Sequence, residues 1–274
     1  MVDTGEVALH VLVEGSGTPV VLLHGFPEFS FGWRHQMAPL AAAGFQAIAP
    51  DLRGYDRSDK PQGVEKYELS RLAADIAGLI RGLGHSRAHV VGHDWGGIVA
   101  YQVAMDHPEV VDRLVILNAP HLGRVAEAIR RPAQLLRSWY VYAFQLPWLP
   151  ERVIQSEAFL RKVFRSWATH PERFGDEVIA EYARALRVPG AARAALNYYR
   201  ALVRRIPTSH GTVRAPTLVL WGEQDRALGA ELLEGLERWV PDLRIQRFPR
   251  ASHWLQHDEP EAVNAALIAF LKSP

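Results

Sequence analysis

The sequence predicts one large α/β domain with a mostly parallel central sheet and an inserted helical segment. Short apolar runs alternate with amphipathic helical patterns along most of the chain. Runs that are apolar throughout are typical of strands buried on both faces of a parallel sheet. Between residues 119 and 210 this alternation stops, and helical patterns continue without a strand signal.

The individual elements follow from these two periodicities. The alternating run Val7–Val13 predicts a first strand, and helices are predicted over Trp33–Ala43, Ser70–Leu83 and Pro260–Leu271. Buried parallel strands are predicted from the runs Pro19–Leu23, Phe45–Ala49 and Ala88–Val91, and three more strands are predicted over Leu114–Leu117, Thr217–Trp221 and Leu243–Phe248. In such sheets the functional groups collect at the carboxyl ends of the strands.

The helical segment also differs from its surroundings in charge. It contains 15 Arg or Lys against 7 Asp or Glu, whereas the rest of the chain has 16 against 23. We therefore predict a core of residues 1–118 and 211–274 and a helical cap of residues 119–210 over the strand ends. The arginines of the cap are typical of a solvated helical surface, and no compact basic run or interleaved aromatic pattern predicts a nucleic-acid partner.

Composition excludes several other classes. The 274 residues include no cysteine, which removes disulfides, a thiolate nucleophile and cysteine-based metal sites. Twelve histidines are scattered without an H-E-x-x-H run, so we expect neither a metal nor another cofactor. No signal peptide or membrane-length apolar run is visible, so we expect a cytoplasmic protein without a membrane partner. The oligomeric state stays open between monomer and homodimer.

The motif with the clearest chemical content follows the run Ala88–Val91. Gly92-His93-Asp94-Trp95-Gly96 predicts a sharp turn between strand and helix, with small residues where the backbone comes close to its neighbours. It matches the nucleophile elbow G-x-S-x-G with Asp94 in place of serine. An aspartate in such a turn is more often a helix cap, so the assignment needs support from the rest of the chain.

That support comes from two further strand ends. Asp225 follows the strand Thr217–Trp221, and His253 follows Leu243–Phe248. Nucleophile, acid and base then occur in the chain order of an α/β-hydrolase triad. Asn118 occupies the competing position for the acid, but an amide cannot stabilise an imidazolium ion as a carboxylate does.

Together the motifs resemble the α/β-hydrolase-fold epoxide hydrolases over essentially the whole chain. The stretches that carry the resemblance are HGFPE at 24–28, DLRGYDRSDKP at 51–61, VVGHDWGG at 90–97 and LVLWGEQD at 218–225. The resemblance implies two cap tyrosines that donate protons to the epoxide oxygen. Carried over position by position it selects Tyr140 and Tyr199, with Tyr198 as the nearest rival of Tyr199.

The resemblance also implies a mechanism. Asp94 attacks an epoxide carbon, His253 activates the water that hydrolyses the resulting ester, and Asp225 orients the imidazole. The backbone N–H groups of Phe26 and Trp95 form the oxyanion hole. The resemblance further suggests a cis Phe26–Pro27 bond, although such bonds are trans by default.

The expected partners follow from this mechanism and from the residues around the site. Phe26, Pro27, Trp95 and Trp254 are expected to wall the substrate pocket, which implies an apolar epoxide. The partners are then this epoxide and water.

Two alternatives stay open. A haloalkane or haloacid dehalogenase of the same fold also uses an Asp, a His and a second acid. Haloalkane dehalogenases typically carry Asn at the position of Phe26, and haloacid-cleaving relatives carry Arg at the positions of Trp95 and Ile98. A ligand sensor that keeps the fold and pocket without turnover is the alternative from a different class.

Overall fold

The structure, a computed structural model, describes residues 1–128, 139–205 and 211–273. Nine strands lie in these ranges, numbered here in chain order: β1 Val2–Asp3, β2 Ala8–Leu9, β3 Val11–Gly15, β4 Thr18–Leu23, β5 Phe45–Pro50, β6 Ala88–His93, β7 Val111–Leu117, β8 Thr217–Gly222 and β9 Leu243–Phe248. The first two form a small antiparallel pair, and the other seven form the central sheet. The six strands predicted for the parallel sheet are therefore confirmed, and the last of them, β9, is largely exposed.

The central sheet has the strand order β3-β5-β4-β6-β7-β8-β9. Only the edge strand β3 runs antiparallel to its neighbour, and all other pairs are parallel. Strand β6 lies at the centre, and every residue of it is buried. Because β6 ends at His93, the residue that follows it is held at the middle of the sheet's carboxyl edge.

Helices cover both faces of the sheet. The described α-helices are α1 Met37–Ala42, α2 Leu69–Gly82, α3 Trp95–Asp106, α4 Leu122–Ala128, α5 Trp139–Ala143, α6 Leu149–Ile154, α7 Glu157–Trp167, α8 Asp176–Arg187, α9 Ala191–Arg204, α10 Leu255–Asp258 and α11 Pro260–Leu271. Ile76 of α2 and Val99 of α3 belong to the core on one face, and Leu40 of α1 and Leu267 of α11 to the core on the other. This is the α/β architecture predicted from the sequence.

Two predicted elements differ from the structure. The stretch Val7–Val13 is divided into β2 and β3, because the N–H of His10 donates to Ser58 Oγ and the N–H of Ala8 to Asp59 Oδ2. The predicted helix Trp33–Ala43 is shorter, since a 3-10 turn ends at Trp33 and α1 begins only at Met37. Pro39 has no N–H to donate and is tolerated only in the first turn of a helix, where it lies here.

The segment that interrupts the sheet consists of helices and connecting turns in its described part. Within residues 119–128 and 139–205 there are helices and no strand. Its first helix, α4, contacts the core, where the Arg124 guanidinium donates to the carbonyl of Glu231. The division at residues 118 and 210 stays a prediction, and residues 129–138 and 206–210 of the predicted cap lie outside the described part.

Among the described helices, none combines the length and the apolar character that crossing a bilayer requires.

Candidate active site

Asp94 lies on a tight turn between β6 and α3. Its backbone has φ 50° and ψ −119°, a conformation that costs free energy for a residue with a Cβ atom. The turn is possible because its flanking residues are glycines. A Cβ on Gly92 would collide with the carbonyl group of Gly96, and one on Gly96 would collide with the carbonyl of Leu23. The sequence thus forces the carboxylate out at the carboxyl edge of the sheet.

The structure brings Asp94 together with the two other groups predicted for the triad. Nε2 of His253 lies 3.6 Å from Asp94 Oδ2. Nδ1 of the same imidazole donates to Asp225 Oδ2 at 2.7 Å. His253 and Asp225 are both buried, whereas the side chain of Asp94 keeps 15% of its surface exposed. The carboxylate at the turn is therefore accessible, and the pair behind it is shielded.

Asp225 is fixed by more than the histidine. Its Oδ1 accepts the N–H groups of Ala227 and Leu228, and its Oδ2 also accepts the Asn118 amide at 2.7 Å. Burial raises the pKa of a carboxyl group, but His253 and these donors outweigh it and lower the pKa of Asp225. Asn118, the residue rejected as the acid, thus holds the acid in place.

The charge on His253 is set by two carboxylates. Burial lowers the pKa of an imidazole, yet Asp225 first and Asp94 second outweigh burial and raise the pKa of His253 to about 10. At neutral pH the imidazole is therefore protonated while both carboxylates are charged. Its Nε2–H points toward the carboxylate of Asp94.

One of the two predicted oxyanion donors contacts Asp94 directly. The backbone N–H of Phe26 donates to Asp94 Oδ1 at 2.7 Å. The second, the N–H of Trp95, lies in the first turn of α3, where backbone N–H groups have no acceptor within the helix. The Phe26–Pro27 bond is cis, as the resemblance suggested.

Tyr140 and Tyr199 meet above the carboxylate. Their ring centroids are 6.0 Å apart, and both residues line the same cavity as Asp94. Burial and, after it, the charge of Asp94 raise the pKa of both phenols, so each keeps its proton. Tyr198 points elsewhere, because its hydroxyl donates to the Arg53 carbonyl at 2.7 Å.

The cavity between the cap and the strand ends has a volume of about 470 Å³. Apart from Asp94, His253, the two tyrosines and Lys162, its described lining is apolar. Phe26, Pro27 and Trp254 line it as predicted. The apolar and aromatic lining residues from the cap are Trp139, Ala143, Phe144, Leu146, Leu149, Pro150, Val153, Phe159, Val163 and Trp167.

The prediction that the Trp95 side chain walls the pocket is wrong. This side chain is not among the described lining residues and is only 3% exposed. The indole packs edge-on against Tyr199, with ring centroids 4.9 Å apart, and against Tyr198. It therefore supports the ring of Tyr199 from behind.

Sequence reasoning gave no role to Glu28, the last residue of the HGFPE stretch. This carboxylate is 1% exposed and accepts the Tyr182 hydroxyl at 2.8 Å, His257 Nε2 at 2.7 Å and the Gln256 amide at 3.1 Å. Burial alone raises the pKa of such a group, but His257 and His93 hold the pKa of Glu28 well below its usual range. Its only sequence signal is a carboxylate just after a buried strand.

This buried network reaches His253 through His93. Nε2 of His93 lies 2.8 Å from the carbonyl oxygen of His253, so this nitrogen carries a proton and donates it. Nδ1 of His93 lies 3.2 Å from Glu28 Oε2 and 3.1 Å from the amide nitrogen of Gln256, which itself donates to Glu28. The loop that bears His253 is thus tied to the residue preceding Asp94.

Comparison with known proteins agrees with this fold and site. Residues 18–170 match the family described as alpha/beta hydrolase fold, which defines the class. The chain is 40% identical to the AB hydrolase superfamily protein YfhM of Bacillus subtilis, over 99% of this chain and 97% of that protein. It is 39% identical to Epoxide hydrolase 4 of Mus musculus, over 98% of this chain and 77% of that protein.

Solved structures give the same result. The Bacillus megaterium epoxide hydrolase in complex with an inhibitor superimposes with a TM-score of 0.88 and 32% identity, over 97% of this chain and 98% of that one. Epoxide Hydrolase A from Mycobacterium thermoresistibile superimposes with a TM-score of 0.86 and 30% identity, over 99% of this chain and 97% of that one. The chain belongs to the α/β-hydrolase-fold epoxide hydrolase family.

Proposed function

We propose that the protein hydrolyses an apolar epoxide to a vicinal diol through a covalent ester on Asp94. The observation that carries the proposal is the environment of this carboxylate. One oxygen accepts the Phe26 N–H, the other faces His253, and two protonated phenols line the same cavity. Family membership and the epoxide hydrolases among its relatives support the same reaction.

In the first step, Asp94 Oδ2 attacks an epoxide carbon. A carboxylate is ionised at neutral pH and needs no base for this attack. The C–O bond of the epoxide breaks as the ester forms, and its oxygen takes a proton from Tyr140 or Tyr199. Because the pKa of both phenols is raised, they are protonated and ready to donate.

Ester formation also prepares the base for the second step. It neutralises Asp94, one of the two carboxylates that hold a proton on His253. The pKa of His253 then falls, and the proton can leave toward the phenolate formed in the first step. The neutral Nε2 becomes available to a water molecule, while Asp225 keeps the other ring nitrogen protonated.

In the second step, His253 takes a proton from water as the water oxygen attacks the ester carbon. The charge that develops on Asp94 Oδ1 falls on the oxygen that already accepts the Phe26 N–H, with the Trp95 N–H as the second donor. The intermediate breaks at the bond from the carboxyl carbon to Oδ2, and His253 gives its proton to Oδ2 as the diol leaves. The proton of the re-formed carboxyl group then passes to His253, which restores the starting charges. In the first turnover the diol therefore carries an oxygen atom from Asp94.

The shape of the cavity indicates the substrate class. Nearly all of its described lining outside the reacting groups is aliphatic or aromatic, and about 470 Å³ accommodates a substrate of drug-like size. We propose an epoxide with an apolar, preferably aryl, substituent. Water is the only co-reactant that the mechanism requires.

Trapping the ester tests the proposal. We expect His253→Gln to form the ester and not to hydrolyse it, so that peptide mass spectrometry after incubation with an aryl epoxide finds the substrate mass added at Asp94. The wild-type protein should turn the same epoxide over while releasing little halide from 1-bromoalkanes. Halide release with no diol would favour a dehalogenase, and an unmodified Asp94 in the variant would contradict the covalent mechanism.

A further inference from the structure

The exposed apolar side chains of the described molecule are concentrated on one short stretch of the cap. Eleven large apolar residues are exposed among those that the structure describes, and six of them lie within residues 139–153. We call these six the apolar rim: Trp139, Tyr142, Leu146, Trp148, Leu149 and Val153. Single exposed apolar residues are ordinary, but a contiguous group on a folded protein marks an interaction surface.

The apolar rim is continuous with the entrance of the substrate cavity. Trp139, Leu146, Leu149 and Val153 are exposed to solvent and also line the cavity. An apolar molecule bound on this surface would therefore reach the active site without returning to water. This continuity connects the surface with substrate uptake.

Trp148 is the most exposed member of the apolar rim. It is 70% exposed, and its backbone has φ 47° and ψ −26°, in the left-handed region that a bulky side chain rarely adopts. Residues in such conformations cluster at binding sites and switches. Here the conformation sits directly before helix α6, which carries Leu149 and Val153.

Unpaired cations flank the apolar rim. Arg152 lies on helix α6, and Lys162 lines the cavity. Both side chains are exposed, and neither has an ion-pair partner in the described part of the chain. The two acidic residues of this part of the cap are already paired, Glu151 with Arg200 and Glu157 with Arg187. The charged side chains beside the apolar rim that have no ion-pair partner in the described part of the chain are therefore positive.

We propose that the apolar rim docks on a lipid surface with anionic headgroups and takes apolar epoxides from it. Trp and Tyr are the side chains that favour the interface between hydrocarbon and water, and Arg and Lys beside them attract anionic lipids. Such docking is peripheral and involves no spanning helix. The use of the surface in substrate uptake rests on the proposed function, whereas docking itself does not.

Co-sedimentation with vesicles tests docking independently of turnover. The vesicles are phosphatidylcholine, with or without phosphatidylglycerol. We expect the protein to sediment with the anionic vesicles, and the double variant Tyr142→Ser/Trp148→Ser to bind about tenfold more weakly because two apolar groups are lost. Arg152→Glu should bind the anionic vesicles at least about fivefold more weakly. Ile245→Ser, an equally polar change at an exposed residue of β9, is the control and should bind normally.

Activity on a small water-soluble epoxide separates docking from folding and catalysis. None of these variant positions lines the cavity, so all variants should keep that activity. Turnover of an epoxide dissolved in the anionic vesicles should fall in Tyr142→Ser/Trp148→Ser and in Arg152→Glu, and it should stay unchanged in Ile245→Ser.

Two results would overturn the proposal. One is a wild-type protein that sediments with neither vesicle. The other is a wild-type dimer that Tyr142→Ser/Trp148→Ser converts to a monomer without any vesicle binding, which would make the rim a subunit interface.

Discussion

The proposed mechanism depends on a change in the charge of His253 during the reaction, and Asp94→Asn reproduces that change without substrate. The substitution removes the carboxylate charge 3.6 Å from Nε2 and keeps a side chain of the same shape. In the wild-type protein the pKa of His253 is raised to about 10 by Asp225 and Asp94 against the effect of burial. We expect the variant to lose the contribution of Asp94 and to keep that of Asp225.

Coulomb's law gives the size of the expected shift. At 3.6 Å, two unit charges interact with about 1 kcal/mol at the dielectric constant of water and about 5 kcal/mol at an effective value near 20. One pKa unit corresponds to about 1.4 kcal/mol. The pKa of His253 should therefore fall by about one to three units in Asp94→Asn, far enough for the imidazole to act as a base near neutral pH.

The shift is measured by NMR titration of ¹⁵N-labelled imidazole groups, with the His253 resonance identified by its loss in His253→Gln. Asp106→Asn, at the far end of the same helix α3, is the matched control and should leave the midpoint unchanged. A midpoint for wild-type His253 near the ordinary value of about 6.5 would mean that the carboxylates do not raise its pKa. Equal midpoints in the wild-type and Asp94→Asn proteins would mean that the carboxylate of Asp94 does not raise this pKa.

The same pKa predicts how stability depends on pH. Because the folded-state pKa of His253 is raised, its protonation stabilises the fold fully below the unfolded value of about 6.5. That contribution is lost as the pH rises toward 10. Urea unfolding between pH 6.5 and 10 should show a smaller decrease in the free energy of unfolding for Asp94→Asn than for the wild-type protein.

Three further predictions concern the surroundings of the triad. Tyr140→Phe and Tyr199→Phe should each lower kcat/KM about tenfold or more in steady-state assays. Tyr198→Phe should instead lower the free energy of unfolding in urea by about 1 kcal/mol and leave kcat/KM nearly unchanged. Asn118→Ala should leave Asp225 short of one donor and lower kcat with less effect on KM. Glu28→Gln should lower the free energy of unfolding by about 3 kcal/mol at neutral pH, because it removes one charge of a buried, hydrogen-bonded network. Since the pKa of Glu28 is lowered in the folded protein, the stabilisation by its carboxylate is complete above pH 4.5 and is lost as the pH falls below that value.

Each of these predictions has a contrary outcome. A larger kinetic loss in Tyr198→Phe than in Tyr199→Phe would reverse the assignment of the proton donor. An Asn118→Ala protein with unchanged kcat would remove Asn118 from the site. A Glu28→Gln protein that unfolds at the wild-type urea concentration would mean that the buried network contributes nothing to stability.

The sequence predicted those parts of the fold and site that depend on local pattern. The six predicted segments are parallel strands, and Asp94, Asp225 and His253 lie together because each follows one of those strands. The turn at Asp94 was predicted from its glycines, because Gly92 and Gly96 approach each other within the turn itself. The cap tyrosines came from the resemblance and not from periodicity.

What the sequence did not predict depends on partners far apart in the chain. His257 donates to Glu28 across 229 positions, and no local pattern links the two. The break at His10 depends on a hydrogen bond with Ser58. Trp95 packs behind Tyr199 because of how helix α9 lies on the core, and a sequence only shows that both residues are aromatic.

The central claim, a covalent ester on Asp94, is tested most directly by a single turnover in ¹⁸O-water with enzyme in excess over an aryl epoxide. We expect the first diol to carry no ¹⁸O, because its new oxygen comes from the carboxylate of Asp94, and we expect the label to appear in that carboxylate instead. Full labelling of the first diol would mean that water attacks the epoxide directly and that no ester forms on Asp94.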